Sequence, residues 1–522
     1  MSIPSKERKL NIIRIAPADF GRVVLALIFL AAIYYFVGHN PSGLSNGSTL
    51  LVVAAVIGGY MAMNIGANDV ANNVGPAVGS QAITLTGAIL IAVICESAGA
   101  LIAGGDVVST IKKGIIDPAF FKNDVDTFIW AMTAALLAAA LWLNLATYLG
   151  APVSTTHSIV GGVLGAGIAA GGWSIANWDK VQQIVASWII SPALGGLIAA
   201  AFLYLIKVTI LYKEDMIAAS KNRVPILLGI MGWAFTTYIV LKGTKKLIKI
   251  EMPVALMLGG IVAVIVFFVT RPMIVRASAN MKNDEASIDN LFTIPLIVGA
   301  CFLSFAHGAN DVANAIGPLA AINEAVRANA VVATASIPLW VMIVGALGIA
   351  VGLGLYGPKL VKTVGTEITE LDKNRAFCVS LAAAITVIIA THFGLPVSST
   401  HIAVGAIFGV GFLREILVYR YNQRLDQVRE YMDEEIDQEA AERFLEAFDQ
   451  ATMPQKKQML AELKGRKRPT NQRKRFKKAY REKLVQRSLL VKIVLAWIIT
   501  VPLSGIFAAM LFYMIKGFML SI

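Results

Sequence analysis

Gly66-Ala67-Asn68-Asp69-Val70-Ala71-Asn72-Asn73-Val74-Gly75-Pro76 closes an apolar run that begins near Leu50. It returns 242 residues later as Gly308-Ala309-Asn310-Asp311-Val312-Ala313-Asn314-Ala315-Ile316-Gly317-Pro318. Each copy sets a carboxylate and several amides where hydrocarbon is expected. Such groups are expensive in lipid, so they line polar cavities and mark function. The rest of the chain reads as the frame that brings the two segments together.

Composition supports a membrane frame. Of 522 residues, 57% are hydrophobic and 15% charged, against about 25% charged in soluble chains. Mean hydropathy is +0.68. Apolar runs of about 20 residues, each able to span a bilayer as a helix, recur throughout. The fold class expected is an all-α polytopic membrane protein with about 12 to 13 apolar segments. The net charge of +13 is concentrated between Arg414 and Arg487, with smaller clusters at the N-terminus and in short loops. That is the pattern of loops on the cytoplasmic side rather than of a nucleic-acid surface. Cys95, Cys301 and Cys378 lie in apolar runs without metal-ligand spacing and read as small buried hydrophobes. No cleavable signal peptide is expected.

Charge also orients the chain. Lys6, Arg8, Lys9 and Arg14 place the N-terminus inside, followed by a retained first helix over about 23–37. Apolar runs follow over about 50–65, 82–104, 127–149, 158–170 and 184–206. Two plain helices, about 224–241 and 253–270, are joined by a loop whose Lys242, Lys245, Lys246 and Lys249 sit uneasily on an outer face. A second block begins near Leu291. Its Pro396-Val397-Ser398-Ser399-Thr400-His401 repeats Pro152-Val153-Ser154-Thr155-Thr156-His157, and Trp497-Ile498-Ile499 repeats Trp188-Ile189-Ile190. Three matching elements in one order indicate duplication. The connection 171–181 is nearly uncharged and outside, whereas its counterpart, the 414–490 insert, is basic and inside. Equivalent loops on opposite sides define an inverted repeat, a common build of secondary transporters with a midplane site. The division expected is 1–48 as an N-terminal segment with an extra helix and 49–206 as transport repeat one. It continues with 207–290 as a two-helix linker, 291–413 plus 490–516 as repeat two, and 414–489 as a charged cytoplasmic insert. The insert is acidic over 430–449 and basic over 456–487, and reads as a helical hairpin broken at Pro454. The C-terminus is expected outside, in the plasma (cell inner) membrane.

Asn64, Asn68 and Asn72 stand at i, i+4 and i+8 and form one polar stripe on a helix; Asp69 and Asn73 form a second. Asn310, Asn314 and Asp311 match them, with His307 one turn before Asp311. Gly75-Pro76 and Gly317-Pro318 are expected to interrupt the helices and free carbonyls. Carboxylate, amide oxygen and free carbonyl suit a small hard cation. The cation candidates are Asp69, Asp311, Asn72 and Asn314, with Na+ at Asp69 and Asp311. In the other motif, proline and Ser/Thr favour a helix start, whose free N–H groups and dipole make an anion site. Ser154, Thr155, Thr156, Ser398, Ser399 and Thr400, with Asn68 and Asn310, are the anion candidates. Plain N-capping accounts for at least one hydroxyl per copy. Glu96, His157, His307 and His401 are auxiliary candidates; the two motif histidines read first as helix–helix hydrogen bonders.

These paired GANDVAN and PVS-[ST]-TH elements resemble those of the inorganic phosphate transporter (PiT) family, over roughly 49–206 and 291–413 plus 490–516. The resemblance implies an inverted-repeat fold in which short helices bring the Ser/Thr cluster to phosphate. It implies that the Asn-Asp segments serve phosphate and coupling cations, and its GAND form looks more like the sodium-coupled members. Animal-type members carry acidic residues on the helices before each PVS element; this chain has none there, with Ser380 at the second position. The function expected is import of inorganic phosphate by cation symport through alternating access, with Na+ as the cation. Proton coupling is the alternative, and a passive anion channel a more distant one. The expected partners are inorganic phosphate, Na+ or H+, the lipid bilayer and a homodimer mate, with no nucleic acid and no cofactor. An enzyme is not expected, since no nucleophile elbow or HExxH pattern is present.

Overall fold

The computed structural model describes residues 17–39, 48–149, 153–242, 250–331, 337–367, 371–432 and 487–520, with five isolated positions between 447 and 459. The N-terminal basic cluster, the lysines at 245–249 and nearly all of the 433–486 insert, including Pro454, lie outside the described residues. Among those described, every regular element is helical. Among the described residues, twelve helices are long and apolar enough to cross a membrane.

The first helix is α1 (Pro17–Gly38), followed by α2 (Ser48–Asn68), α3 (Ala71–Gly79), α4 (Leu85–Ala103) and α5 (Gly105–Lys113). Next come α6 (Val125–Leu149), α7 (Thr155–Gly171) and α8 (Trp178–Ile206), then a π-turn over Lys207–Leu211. The pair α9 (Met216–Lys242) and α10 (Met252–Ala277) leads through the short α11 (Glu285–Leu291) into the second half. That half holds α12 (Thr293–Ala328), α13 (Leu339–Glu367), α14 (Lys373–His392), α15 (Ser399–Met432) and α16 (Arg487–Leu520).

The inversion follows from which helices touch. Gly161 and Gly165 of α7 lie against Val501 and Gly505 of α16, so the two helices run parallel. Pro192 and Gly196 of α8 lie against Gly405 and Gly409 of α15, also parallel. Since α8 turns back from the end of α7 through only six residues, α7 and α15 run to opposite ends of the bundle. Thus α6–α7 and α14–α15 are re-entrant hairpins entering from opposite ends, with their tips meeting inside. The tip of the second hairpin turns through Gly394 at φ +64°, a left-handed conformation that glycine adopts freely. Small residues at these crossings let backbones touch where lipid supplies no hydrophobic drive.

The expected interruption at Gly-Pro does not occur. In the first copy the chain turns at Asp69-Val70, and α3 then runs through Pro76; in the second, α12 is continuous through Pro318. Proline removes one donor and so frees the carbonyl four residues earlier, on Asn72 or Asn314, but its fixed φ is helical. Close burial on all sides holds the helix across the gap.

Two crossings set the depth of the signature segments. A Cβ on Gly66 would meet the carbonyl oxygen of Ile349 at 2.0 Å, and one on Gly308 would meet that of Glu96 at 2.1 Å. Gly66→Val and Gly308→Val are therefore expected to lose ~3 kcal/mol or more by overpacking against backbone. Gly354→Ala, with nothing within 4 Å, should be near neutral. Thermal unfolding of the detergent-solubilised protein separates the two classes.

Candidate functional site

The two hairpin tips and the two signature segments meet in one buried cluster. Thr155 donates to Asp69 Oδ2 at 2.6 Å, and Ser399 donates to Asp311 Oδ2 at 2.6 Å. These are equivalent bonds within each repeat. Across the repeats, Asn72 Nδ2 donates to Thr400 Oγ1 at 3.0 Å and Asn314 Nδ2 to Thr156 Oγ1 at 3.1 Å. Asn314 also reaches Thr155 Oγ1 at 3.1 Å. Each half of the site is therefore completed by a threonine from the other. All of these side chains are buried.

Ser154 and Ser398 play a plainer part. Each hydroxyl accepts from a backbone N–H three residues on, His157 at 3.1 Å and His401 at 3.2 Å. They are N-caps, and the other N–H groups of each first turn have no partner within the helix itself. Ser154→Ala and Ser398→Ala should each remove about 1 kcal/mol of stability with less effect on uptake than Thr155→Ala. Paired melting and uptake measurements check this.

The pseudo-symmetry fails most clearly around Glu96. Glu96 of α4 accepts from Asn73 Nδ2 at 2.8 Å through Oε1 and meets His307 Nδ1 at 2.6 Å through Oε2. The other ring nitrogen, His307 Nε2, lies 2.7 Å from Asp311 Oδ2. One ligand atom from each of Asp69, His307 and Asp311 falls within 4.8 Å of the others. In the opposite half, Ile65, Ala315 and Ile349 take the places of His307, Asn73 and Glu96; all three are buried. A polar triad in one half is exchanged whole for an apolar triad in the other. The consequence shows in the threonines: Thr400 donates to Asp69 Oδ1 at 3.0 Å, whereas Thr156 donates to the Val397 carbonyl at 3.2 Å. Asp311 already has His307, Ser399 and Asn310, the last at 2.7 Å.

Asn310 also donates to the Val397 carbonyl at 3.0 Å, while its counterpart Asn68 donates to Thr147 of α6 at 3.0 Å. The amide oxygens of Asn72 and Asn310 are buried without a hydrogen-bond partner. Acceptor oxygens of this kind, beside two carboxylates, match the ligand preference of a hard cation.

His157 and His401 touch neither aspartate. Their rings meet edge to face at 4.3 Å, with Trp188 at 3.8 Å from His157 and Trp497 at 3.5 Å from His401. His157 Nδ1 lies 3.3 Å from the Trp497 carbonyl, and Trp188 Nε1 donates to the Pro396 carbonyl at 3.1 Å. The ring contacts join α7, α8, α15 and α16, and the hydrogen bond across helices is made by His157. The Trp-Ile-Ile repeat signalled the two tryptophans, though not their stacking. Thr147 and the Val397 carbonyl had no signal, because a lone threonine and a backbone oxygen leave no pattern.

Two opposed re-entrant hairpins around a buried carboxylate–hydroxyl cluster define an inverted-repeat secondary transporter. The sequence model described as the phosphate transporter family matches residues 65–508. A Helicobacter pylori protein whose name, phosphate permease, is itself an inference is 52% identical over 513 residues, covering 95% of each chain. A Pyrococcus horikoshii protein named in the same way is 40% identical over 370 residues, covering 70% of this chain and 89% of its own. A solved structure described as the sodium-dependent phosphate transporter aligns with a TM-score of 0.73 at 32% identity, covering 90% of this chain and 99% of that one. The chain belongs to the phosphate transporter family, and the resemblance read from its four motifs holds.

Proposed function

We propose that the protein imports inorganic phosphate by symport with Na+, alternating access between repeats bounded as 49–206 and 291–413 plus 490–516. The observation that carries the reading is the sharing of Thr155 and Ser399 between two roles. Their hydroxyl protons point at Asp69 and Asp311, so those donors are committed to the carboxylates. A Na+ ion taking a carboxylate oxygen competes for the same lone pairs. The hydroxyls are then released to donate to phosphate, beside the N–H groups of the two helix starts. Cation binding thereby prepares the anion site, and by linkage phosphate raises the affinity for the cation by the same factor. Asp69 and Asp311 are the cation ligands, supported by the Asn72 and Asn310 amide oxygens; Asn314 orients Thr155 and Thr156. Binding stays releasable because the anion meets hydroxyl and N–H donors, with charge supplied by co-transported ions.

Phosphate uptake into proteoliposomes is expected to follow an imposed Na+ gradient and to saturate. Uptake that ignores Na+ and follows a pH gradient would assign the coupling to H+. Absence of saturable uptake would end the reading. The membrane assigned is the cell inner membrane, with the N-terminus inside and the C-terminus outside. The charge of the insert next to α15 supports the end assigned to the cytoplasm.

A further inference from the structure

An open groove rimmed by charged side chains lies far along the chain from the transport motifs, where α8 gives way to α9. It has a volume of about 670 Å³ and is lined by Thr209, Lys213, Glu214, Asp215, Asn222 and Arg223 among others. That is within the roughly 300–1,000 Å³ of small-ligand clefts. Its wall is built rather than loose. The chain widens into a π-turn over Lys207–Leu211, with Tyr212 N bonded to the Lys207 carbonyl, and such turns gather at functional sites. Asp215 caps Ala218 N at 2.7 Å, and Asn283 both accepts from Met216 N at 2.8 Å and donates to the Glu214 carbonyl at 2.6 Å. A third cation stands beside the rim: Arg271 Nε of α10 donates to Asn222 Oδ1 at 3.1 Å.

The surface next to the cavity says what kind of ligand enters. On α8, Leu205 lies one turn deeper than Thr209; on α9, Ile226 lies one turn deeper than Asn222; on α10, Phe268 lies one turn deeper than Arg271. These three are exposed, at 44%, 40% and 65%. Each of the three helices therefore presents an apolar side chain to the hydrocarbon one turn below the charged groove. A soluble anion gains nothing from them; an acyl chain lies on them.

We propose that this cavity is a binding site for a phospholipid headgroup, specifically a zwitterionic aminophospholipid such as phosphatidylethanolamine. Lys213 and Arg223 hold the phosphodiester, as basic pockets between helices do. Glu214, whose exposed carboxylate stands on the same rim, takes the ammonium group. The acyl chains lie on Leu205, Ile226 and Phe268. The lining carboxylate of Glu214 beside Lys213 and Arg223 gives an ammonium group a partner that a purely anionic lipid would leave unused.

The test is native mass spectrometry of the intact protein in mild detergent, titrated with phosphatidylethanolamine, phosphatidylglycerol or phosphatidylcholine. The wild type should retain the ethanolamine lipid in preference. Lys213→Glu with Arg223→Glu should lower retention roughly tenfold or more, the scale of a lost charge-assisted hydrogen bond. Glu214→Gln should weaken the ethanolamine lipid alone. Equal retention of the three lipids, or equal retention by the double variant, overturns the proposal. So does displacement of the lipid by millimolar inorganic phosphate, which would make the pocket a site for the free ion. Lipid-dependent shifts in thermal unfolding of the same variants give a second reading should spectra of a variant not resolve.

Discussion

Asp69→Asn or Asp311→Asn alone is expected to abolish Na+-driven phosphate uptake, by at least about a hundredfold, or ~2.7 kcal/mol. Asparagine keeps the size of the side chain and one acceptor oxygen, so the Thr155 and Ser399 bonds survive in form and the fold should stand. What goes is the negative charge, which a hard cation cannot do without in a site of neutral oxygens. Initial rates in proteoliposomes under an imposed Na+ gradient measure the effect, beside a melting curve showing that the variant is folded. The result also separates transporter from channel. A passive anion pore gains nothing from two buried carboxylates, and removing both should leave its flux intact or raised.

Glu96→Ala is expected to be the most damaging change outside the two signature segments. Glu96 holds Asn73 at 2.8 Å and His307 at 2.6 Å, and His307 in turn reaches Asp311. Removing the carboxylate leaves a buried imidazole and a buried amide without their partner, a loss on the order of 3–5 kcal/mol. Glu96→Gln keeps two polar atoms in the same place. It should recover most of the stability, since a neutral amide can still meet Asn73 or His307. The informative comparison is the triple change Asn73→Ala, Glu96→Ile, His307→Ile, which copies the Ala315–Ile349–Ile65 set of the opposite half. If the triad is only packing, the triple variant should melt nearer the wild type than Glu96→Ala does and transport normally. If the asymmetry sets which carboxylate needs a dissolved cation, the triple variant should fold but show an altered Na+ activation curve.

Much of this was legible in the letters. Duplicated Asn-Asp segments in apolar runs, duplicated Ser-Thr-His segments and the charge of the loops were enough for an inverted-repeat membrane transporter. They were enough because each signal is local: a polar group in hydrocarbon is conspicuous wherever it sits. The capping of Ser154 and Ser398 is local as well. The expectation that failed was also local. Gly-Pro was read as a helix break, yet burial on every side carries α3 past Pro76 and α12 past Pro318. Tertiary packing overrode a backbone preference.

Pairing across the molecule was not legible. That Asn72 meets Thr400, 328 residues away, and Asn314 meets Thr156, depends on two hairpins entering from opposite ends. Glu96 is the sharpest case. In the sequence Glu96 is one acid within an apolar run, and the aligned motifs set Ile65 against His307 and Asn73 against Ala315 with nothing to connect the three. The crossing of α4 over α12 at Gly308 joins all three into one triad. The sequence by itself determined which groups are too polar for lipid and that they occur twice, because transfer energy belongs to each residue. Only the tertiary structure decided which of them touch, and so which half of the site is polar behind its aspartate, because a contact belongs to two residues and the helices that bring them together.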